Sequence, residues 1–469
     1  MLSQFKRGSD MRVTRAGIKP PELQRGAVAL VVALVLVFGM TLVAFFANRD
    51  VIFEQRTSAN QYRATRALEA AEAGLEWALA RLNDDIYIAA SPACTPGTGS
   101  QTFRDRYIAP TSGATPIFQI NTANPPRPGC SLAQDGTAAA CSCPTSGTDP
   151  DLGSSNDDLP RFTVRFNPVT GDPLAVEIIS YGCTNKGAPC DPGSTATPDG
   201  TAVVRVLLKV RPRFPNAPGA GLIAGHAAVT DGSFEVINLD AESNGITINA
   251  GTTVQLGAGT NPGNLSVTTL PGTPPRASVL DNDPTLNALT NADTTGDLFF
   301  QSFFGETQVQ YRDNPMTWII TKGSCGRDRC TSCSDGLDCG RAVSNAINKG
   351  VTQFWADADV QFTNGNLPTS GTVGTKEKPI SFAGSAGIEL KAELTAYGMF
   401  FVNKGAADWD YSGSGNGKVF GSFVSRATFE KGGSGNLDLI YDANIFRTGQ
   451  GTGLLVRVPG SWRDSETAY

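Results

Sequence analysis

Histidine is almost missing from this chain, with one in 469 residues, His226. A lone histidine leaves no partner for a Ser-His-Asp relay and no second imidazole for a two-histidine zinc motif. Its setting, Leu222-Ile223-Ala224-Gly225-His226, reads as a rung of β structure. No G-x-x-x-x-G-K-[ST] run occurs, which excludes a nucleotide site of that kind. Methionine is scarce (5) and charged residues make up only 17%, so a helical enzyme is a poor description. No cysteine precedes Cys94.

Acid pairs do occur, at Asp357/Asp359 and Asp408/Asp410, and Asp281-Asn282-Asp283 makes an oxygen-rich turn. Asp-x-Asp on a strand points both side chains to one face, and such a face is most often merely solvated. The reading is therefore no enzyme, no cofactor and no assigned metal, although calcium binds oxygens of this kind. The first 25 residues hold Lys6, Arg7, Arg12, Arg15, Lys19 and Arg25 against Asp10 and Glu22, a net of +4. The whole chain is −6, so the remainder carries −10. That acidic remainder offers no basic patch for nucleic acid.

What is present is one long apolar run directly after Gln24-Arg25-Gly26. From Ala27 to Ala47 no charge interrupts, and at 1.5 Å per residue a helix of that length crosses a hydrocarbon core of roughly 30 Å. The basic leader keeps the N-terminal side cytoplasmic. A secretory signal has a shorter apolar region with its small-residue cleavage site after it; here the expected cut lies before the run, after Gly26, which would make Ala27 the new terminus. Beyond Asn48 the chain holds no proline to Asn83 and one glycine, Gly74. Ala64, Ala67, Leu68, Ala71, Leu75, Ala78, Leu79 and Leu82 recur at three-four spacing, one face of a helix. The spacing predicts one helix to about Leu82, roughly 84 Å long.

The glycine before the apolar run resembles the processing site of a type IV prepilin, whose peptidase cuts there and leaves the helix on the mature protein. Glu54-Gln55-Arg56, Ala59-Asn60 and the run Arg66 to Leu75, with Glu69 and Glu72, resemble the N-terminal domain of PilX-type pilus assembly proteins. The resemblance covers about Gln24 to Leu82. Shaft pilins carry a glutamate at the fifth mature position, thought to meet the amine of a neighbouring subunit; here that position is Val31. The resemblance therefore implies a minor pilin at or near the tip. Its implied partners are other minor pilins, the major pilin, a PilY-type tip adhesin and the prepilin peptidase. The implied location is the bacterial inner membrane, single-pass with the bulk periplasmic, and then the pilus surface. An adhesin-like binding module and a K-like pseudopilin of type II secretion remain open as alternatives.

The exported part, with 52 glycines and 29 prolines, reads as turn-rich β structure. The fold class is α+β: a long pilin-type helix, a small antiparallel head and a β-rich C-terminal domain of solenoid type. The expected divisions are a leader 1–26, the helix 27–84 with its membrane segment 27–47, a head 85–212 and a β domain 213–469. Pro212 to Pro218 reads as a linker, and about 296–350 as an insertion. Head strands are expected at Arg161 to Asn167, Leu174 to Gly182 and Ala202 to Val210, packed on the helix stripe because small isolated sheets are marginal. Gly413-Ser414-Gly415-Asn416 recurs as Gly433-Ser434-Gly435-Asn436, a period near twenty that suggests β-helix rungs; a β-sandwich is the alternative.

Ten cysteines fit an oxidising compartment: Cys94, Cys130, Cys141, Cys143, Cys183, Cys190, Cys325, Cys330, Cys333 and Cys339. Cys183 and Cys190 flank one loop and are expected to pair. The last four match part of a plant-type ferredoxin spacing, and four thiolates can also hold zinc. Disulfides are the preferred reading, with connectivity left open. Trp409, Tyr411 and Phe420 are candidates for an exposed aromatic row.

Overall fold

The computed structural model describes residues 25–111, 115–133, 137–147, 150–152, 159–184, 190, 200–230, 233–257, 264–390, 393–403, 416–431 and 435–464. The chain divides into two units, Met1–Tyr62 and Arg63–Tyr469. A single helix, α1 (Arg25–Leu82), runs from one into the other. In the first unit its apolar side chains from Val28 to Phe46 are exposed. This stretch is long and apolar enough to cross a membrane, as expected of a helix whose solvent is lipid.

In the second unit the C-terminal half of α1 lies on an antiparallel sheet. Its strands are β1 (Gly129–Leu132), β2 (Ala138–Ser142), β3 (Arg161–Val169), β4 (Asp172–Cys183) and β5 (Thr201–Arg211), in the order β2-β1-β3-β4-β5. The sixth strand, Leu454–Arg457, comes from the far end of the chain and pairs antiparallel with β5. The three expected strands are present and longer than their apolar cores suggested. β3 and β4 close around Thr170 and Gly171, whose φ of 84° supplies the left-handed turn. β1 and β2 precede the three expected strands, in a part of the head where no strand was expected. The sixth strand lies in the range assigned to the C-terminal domain, and no local signal marks its partner.

The rest of the second unit is a parallel β solenoid. Its longest sheet stacks Asn264–Thr268, Ser233–Ile237, Asn436–Ile440, Asn416–Ser425, Thr395–Val402, Ile380–Gly384, Gln353–Ala356, Trp318–Thr321 and Cys330–Ser332, every pair parallel. The chain ascends through Leu222–Ala224 to Val279–Leu280, then leaves the stack for three short helices, Pro284–Asn291, Asp297–Phe304 and Gln308–Asp313. It re-enters at Trp318 and returns rung by rung until Asn436–Ile440 pairs with Ser233–Ile237, beside its own start. The solenoid expectation holds over the sandwich alternative.

Phe354, Phe382, Phe400 and Phe423 occupy equivalent register positions and form an interior ladder, with ring centroids 5.4–6.4 Å apart. One residue on, Trp355, Ala383, Phe401 and Val424 face outward, where Phe299, Phe300, Phe303 and Phe304 of the second short helix cover them. This explains the pattern along Thr395–Val402: its first half alternates, and its second half is buried on both faces.

The segment read as a linker, Pro212 to Pro218, exposes Pro212, Pro215, Asn216 and Ala217 but is anchored by Arg213 and Phe214, 6% and 1% exposed, and Phe214 packs edge-on against Phe446 at 5.6 Å. The segment read as an insertion, about 296–350, contains a rung, Trp318–Thr321, paired with Gln353–Ala356. The same segment holds a helix, Gly336–Asn348, which packs against the strand Val360–Phe362.

Candidate assembly site

Gly26 and Ala27 lie in the first turn of α1, and Val31 follows with 59% of its surface exposed. Glu54, Arg56 and Asn60 are exposed on the same helix within the first unit. Glu69 and Glu72 are exposed beyond Tyr62, and Glu69 is held 3.3 Å from Arg66 one turn away. The structure does not bring these side chains together; they are spread along the outward surface of one helix. Residues 1–24, with the leader's charges, lie outside the described residues.

The opposite face of α1 is the seat. Ala67, Ala70, Ala71, Leu75, Ala78 and Leu82 are at most 2% exposed, whereas Ala64 stays exposed. Small residues bring helix and sheet backbones together: a Cβ on Gly74 would overlap Ser180 and the Phe162 ring, and one on Gly182 would overlap the Ala67 carbonyl. Trp77 closes the side, with ring centroids 5.3 Å from Phe103 and 5.5 Å from Phe162.

The helix end is pinned by residues distant in sequence. Arg104, on α2 (Phe103–Ile108), donates from Nε to the Leu82 carbonyl at 2.9 Å and from Nη1 to the Gly453 carbonyl at 2.7 Å. It also donates to Asn83 Oδ1 at 3.1 Å. Asn83 in turn bonds the Leu455 backbone twice, donating to its carbonyl at 2.9 Å and accepting from its N–H at 2.8 Å. A helix C-terminus leaves carbonyls unsatisfied, and here the returning chain and α2 supply the partners. Glu76 pairs with Arg457 of the sixth strand. Arg104, Asn83 and Leu455 were missed by sequence reasoning. Only Gly74, the one glycine of the helix beyond Asn48, carried a local signal of close packing.

Burial pushes the Arg104 guanidinium down to about 10, helped by the nearby charge of Arg213. Tyr107 is raised chiefly by burial, against the opposing effect of Arg106, and its hydroxyl donates to the Pro144 carbonyl at 3.0 Å.

All ten cysteines are bonded: Cys94–Cys143, Cys130–Cys141, Cys183–Cys190, Cys325–Cys330 and Cys333–Cys339. Cys130 and Cys141 are direct partners on β1 and β2, so that bond ties a short hairpin at the sheet edge. The pairing of the last four uses up the thiolates that iron or zinc would need. Among the described residues no group of three His, Cys, Asp or Glu is placed to hold a metal.

The other sequence candidates have structural partners. Asp357 accepts from Arg312 and from Trp355 Nε1, both at 2.7 Å, and Asp359 accepts from the Gly387 N–H at 2.8 Å. Asp283 caps the helix Pro284–Asn291, and Asp281 pairs with Arg276. His226 lies at a corner between strands rather than on a rung, its N–H donating to Ala427 at 3.3 Å. Phe420 stacks on Tyr397 with centroids 4.9 Å apart. Asp408, Trp409, Asp410 and Tyr411 lie outside the described residues.

No curated protein matches the chain. The solved structures that resemble it include two of different kinds. One is a competence-associated pilin, ComZ from Thermus thermophilus (10% identity, 86% of this chain and 98% of that one, TM-score 0.23). The other is an ice binding protein from an Antarctic Biological Consortium (10% identity, 49% of this chain and 91% of that one, TM-score 0.23). At these scores neither likeness bears on function. Residues 25–76 match the PilX N-terminal family model, and this chain is therefore one that carries a PilX-type pilin N-terminus.

Proposed function

We propose that this chain is a minor pilin, a low-copy type IV pilus subunit that acts at or near the tip and helps to initiate assembly. One observation carries the reading: Val31 stands where shaft pilins carry a glutamate, on a helix otherwise of PilX type. A buried carboxylate is costly unless paired, and a chain with valine there makes no repeating charge contact along a shaft. An uncharged helix still packs in a bundle.

On this reading Gly26 is the cleavage residue and Ala27 the mature terminus. Glu54, Arg56, Asn60, Glu69 and Glu72 face neighbouring pilins. The partners are other minor pilins, the major pilin, a PilY-type tip adhesin and the prepilin peptidase. Before assembly the protein sits in the inner membrane with its bulk outside the cytoplasm. It has no enzymatic role.

Deletion of the chain is expected to lower the number of surface pili without changing shaft diameter. Dense immunogold labelling along the whole shaft would refute the assignment. Gly26→Val is expected to block processing, and recovery of residues 1–26 in assembled pili by mass spectrometry would exclude cleavage there. If deletion leaves piliation normal and abolishes only attachment, the adhesin reading replaces this one.

A further inference from the structure

A cleft of about 190 Å³ opens where the end of the helix Gly336–Asn348 meets the solenoid loop 368–378 and Tyr87. Its lining includes Tyr87, Asn348, Thr352, Thr375, Lys378 and Ile380. The walls are fixed by the backbone. The Tyr87 N–H donates to the Lys349 carbonyl at 2.7 Å. The Tyr87 ring lies against Gly350, where φ is 103° and a Cβ would overlap it. The loop is tied to the helix end by the Thr369 N–H, which donates to Asn348 Oδ1 at 2.8 Å. It closes on itself where the Lys378 N–H donates to Thr375 Oγ1 at 3.0 Å.

The lining is amphipathic and without net charge. Ile347, Val351 and Ile380 supply apolar surface beside the Tyr87 ring. The one ionised side chain in it, Lys378, lies 4.7 Å from the Tyr87 ring centroid and is already paired with Asp105 at 2.6 Å. Among the described residues, Tyr87 Oη, Thr352 Oγ1 and Asn348 Nδ2 have no hydrogen-bond partner, and Thr375 Oγ1 accepts without donating. A hydroxyl can both donate and accept, and covering one with an apolar ligand costs free energy because its bonds to water are not replaced. A matching occupant therefore presents several hydroxyls to these groups and an apolar face to the isoleucines. The cleft is smaller than the roughly 300–1,000 Å³ of sites for drug-sized ligands, which suits a single ring rather than a peptide segment.

We infer that this cleft binds one neutral pyranose unit, such as the terminal sugar of a glycan. Such binding would serve a tip subunit and an adhesin alike, so it depends on neither reading of the chain.

The test is saturation-transfer NMR on the full-length chain in a detergent without a sugar head group. The probes are the methyl glycosides of glucose, galactose, mannose and N-acetylglucosamine, and at least one is expected to saturate at millimolar concentration. Ser370→Trp places a large ring at an exposed position of the lining and is expected to abolish that saturation with the unfolding midpoint unchanged. Tyr87→Phe keeps the wall and removes the hydroxyl, and is expected to weaken binding by about 3- to 10-fold. Transfer that stays linear with concentration for every glycoside, undiminished saturation in Ser370→Trp, or equal saturation by cyclohexanol would overturn the proposal. If Ser370→Trp fails to fold, the Tyr87→Phe ratio and the cyclohexanol comparison decide.

Discussion

Asn416 and Asn436 are register partners on adjacent parallel strands. Each ends one copy of the repeated Gly-Ser-Gly-Asn, so the twenty-residue spacing in the sequence is one turn of the solenoid. Gly398 and Gly421 are partners on the neighbouring pair, with φ of 147° and 132°. A Cβ on Gly421 would overlap the Gly398 carbonyl oxygen. Gly421→Ala is therefore expected to cost about 2 kcal/mol or more, read as a drop in the thermal midpoint. An unchanged midpoint would show that the glycine stack tolerates a side chain.

At Gly74 two effects of opposite sign compete. Alanine in mid-helix gains about 1 kcal/mol in propensity, but its methyl would collide with Phe162 and Ser180. Overpacking of this kind costs about 1–3 kcal/mol, so Gly74→Ala is expected to be neutral to destabilising and Gly74→Val clearly destabilising. Denaturant titration of both variants checks the order.

Truncation after Pro212 is not expected to yield a folded head. It removes Leu454–Arg457 from the edge of β5 and takes both backbone partners from Asn83. Arg104 also loses the Gly453 carbonyl. Limited proteolysis of the truncated protein is expected to cut within 85–212 at protease levels that leave the full chain intact. Equal resistance would show that the head stands alone.

The five disulfides differ in the chain they close. The 49-residue separation of Cys94 and Cys143 constrains the unfolded state most, by about 4 kcal/mol, against about 2–3 kcal/mol for the shorter loops. Thiol counting on denatured, unreduced protein from the cell envelope is expected to find few free thiols. The double substitution Cys94→Ser with Cys143→Ser is expected to be the most destabilising of the five pairs.

Acid sensitivity is expected at Asp293. Burial works against its charge, yet N–H donors of Leu298, Gly296 and Asp297 and the Thr295 hydroxyl hold its carboxyl below the usual range. The folded state therefore keeps the proton off more strongly than the unfolded chain. The stabilisation is present above an ordinary aspartate pKa and is lost as pH falls through the folded value. Asp293→Asn is expected to cost about 1–2 kcal/mol at pH 7 and to flatten stability in that acid window. A parallel pH profile in the variant would exclude the role.

The sequence by itself determined what depends on periodicity and on solvent. Ala27 to Ala47 can satisfy its backbone in lipid only as a helix, the alanine stripe to Leu82 has one face to bury, and a repeat of twenty small and β-prone residues winds into rungs. Ten cysteines beyond the helix were legible as disulfides, because that reading needs only their number and their place after the apolar run. Partners far apart in the chain were not legible. Leu455 pairs with Val210 and Asn83 across hundreds of residues, and four apolar residues near a terminus do not say which edge they will complete. Arg213 looked like part of a polar linker, since only the folded junction surrounds it with carbonyls. The acid pair Asp357/Asp359 looked like a possible site until Arg312, Trp355 and Gly387 were brought to it. Periodic patterns are set by neighbours in sequence; caps, edges and buried charges are set by whichever segment folding delivers to them.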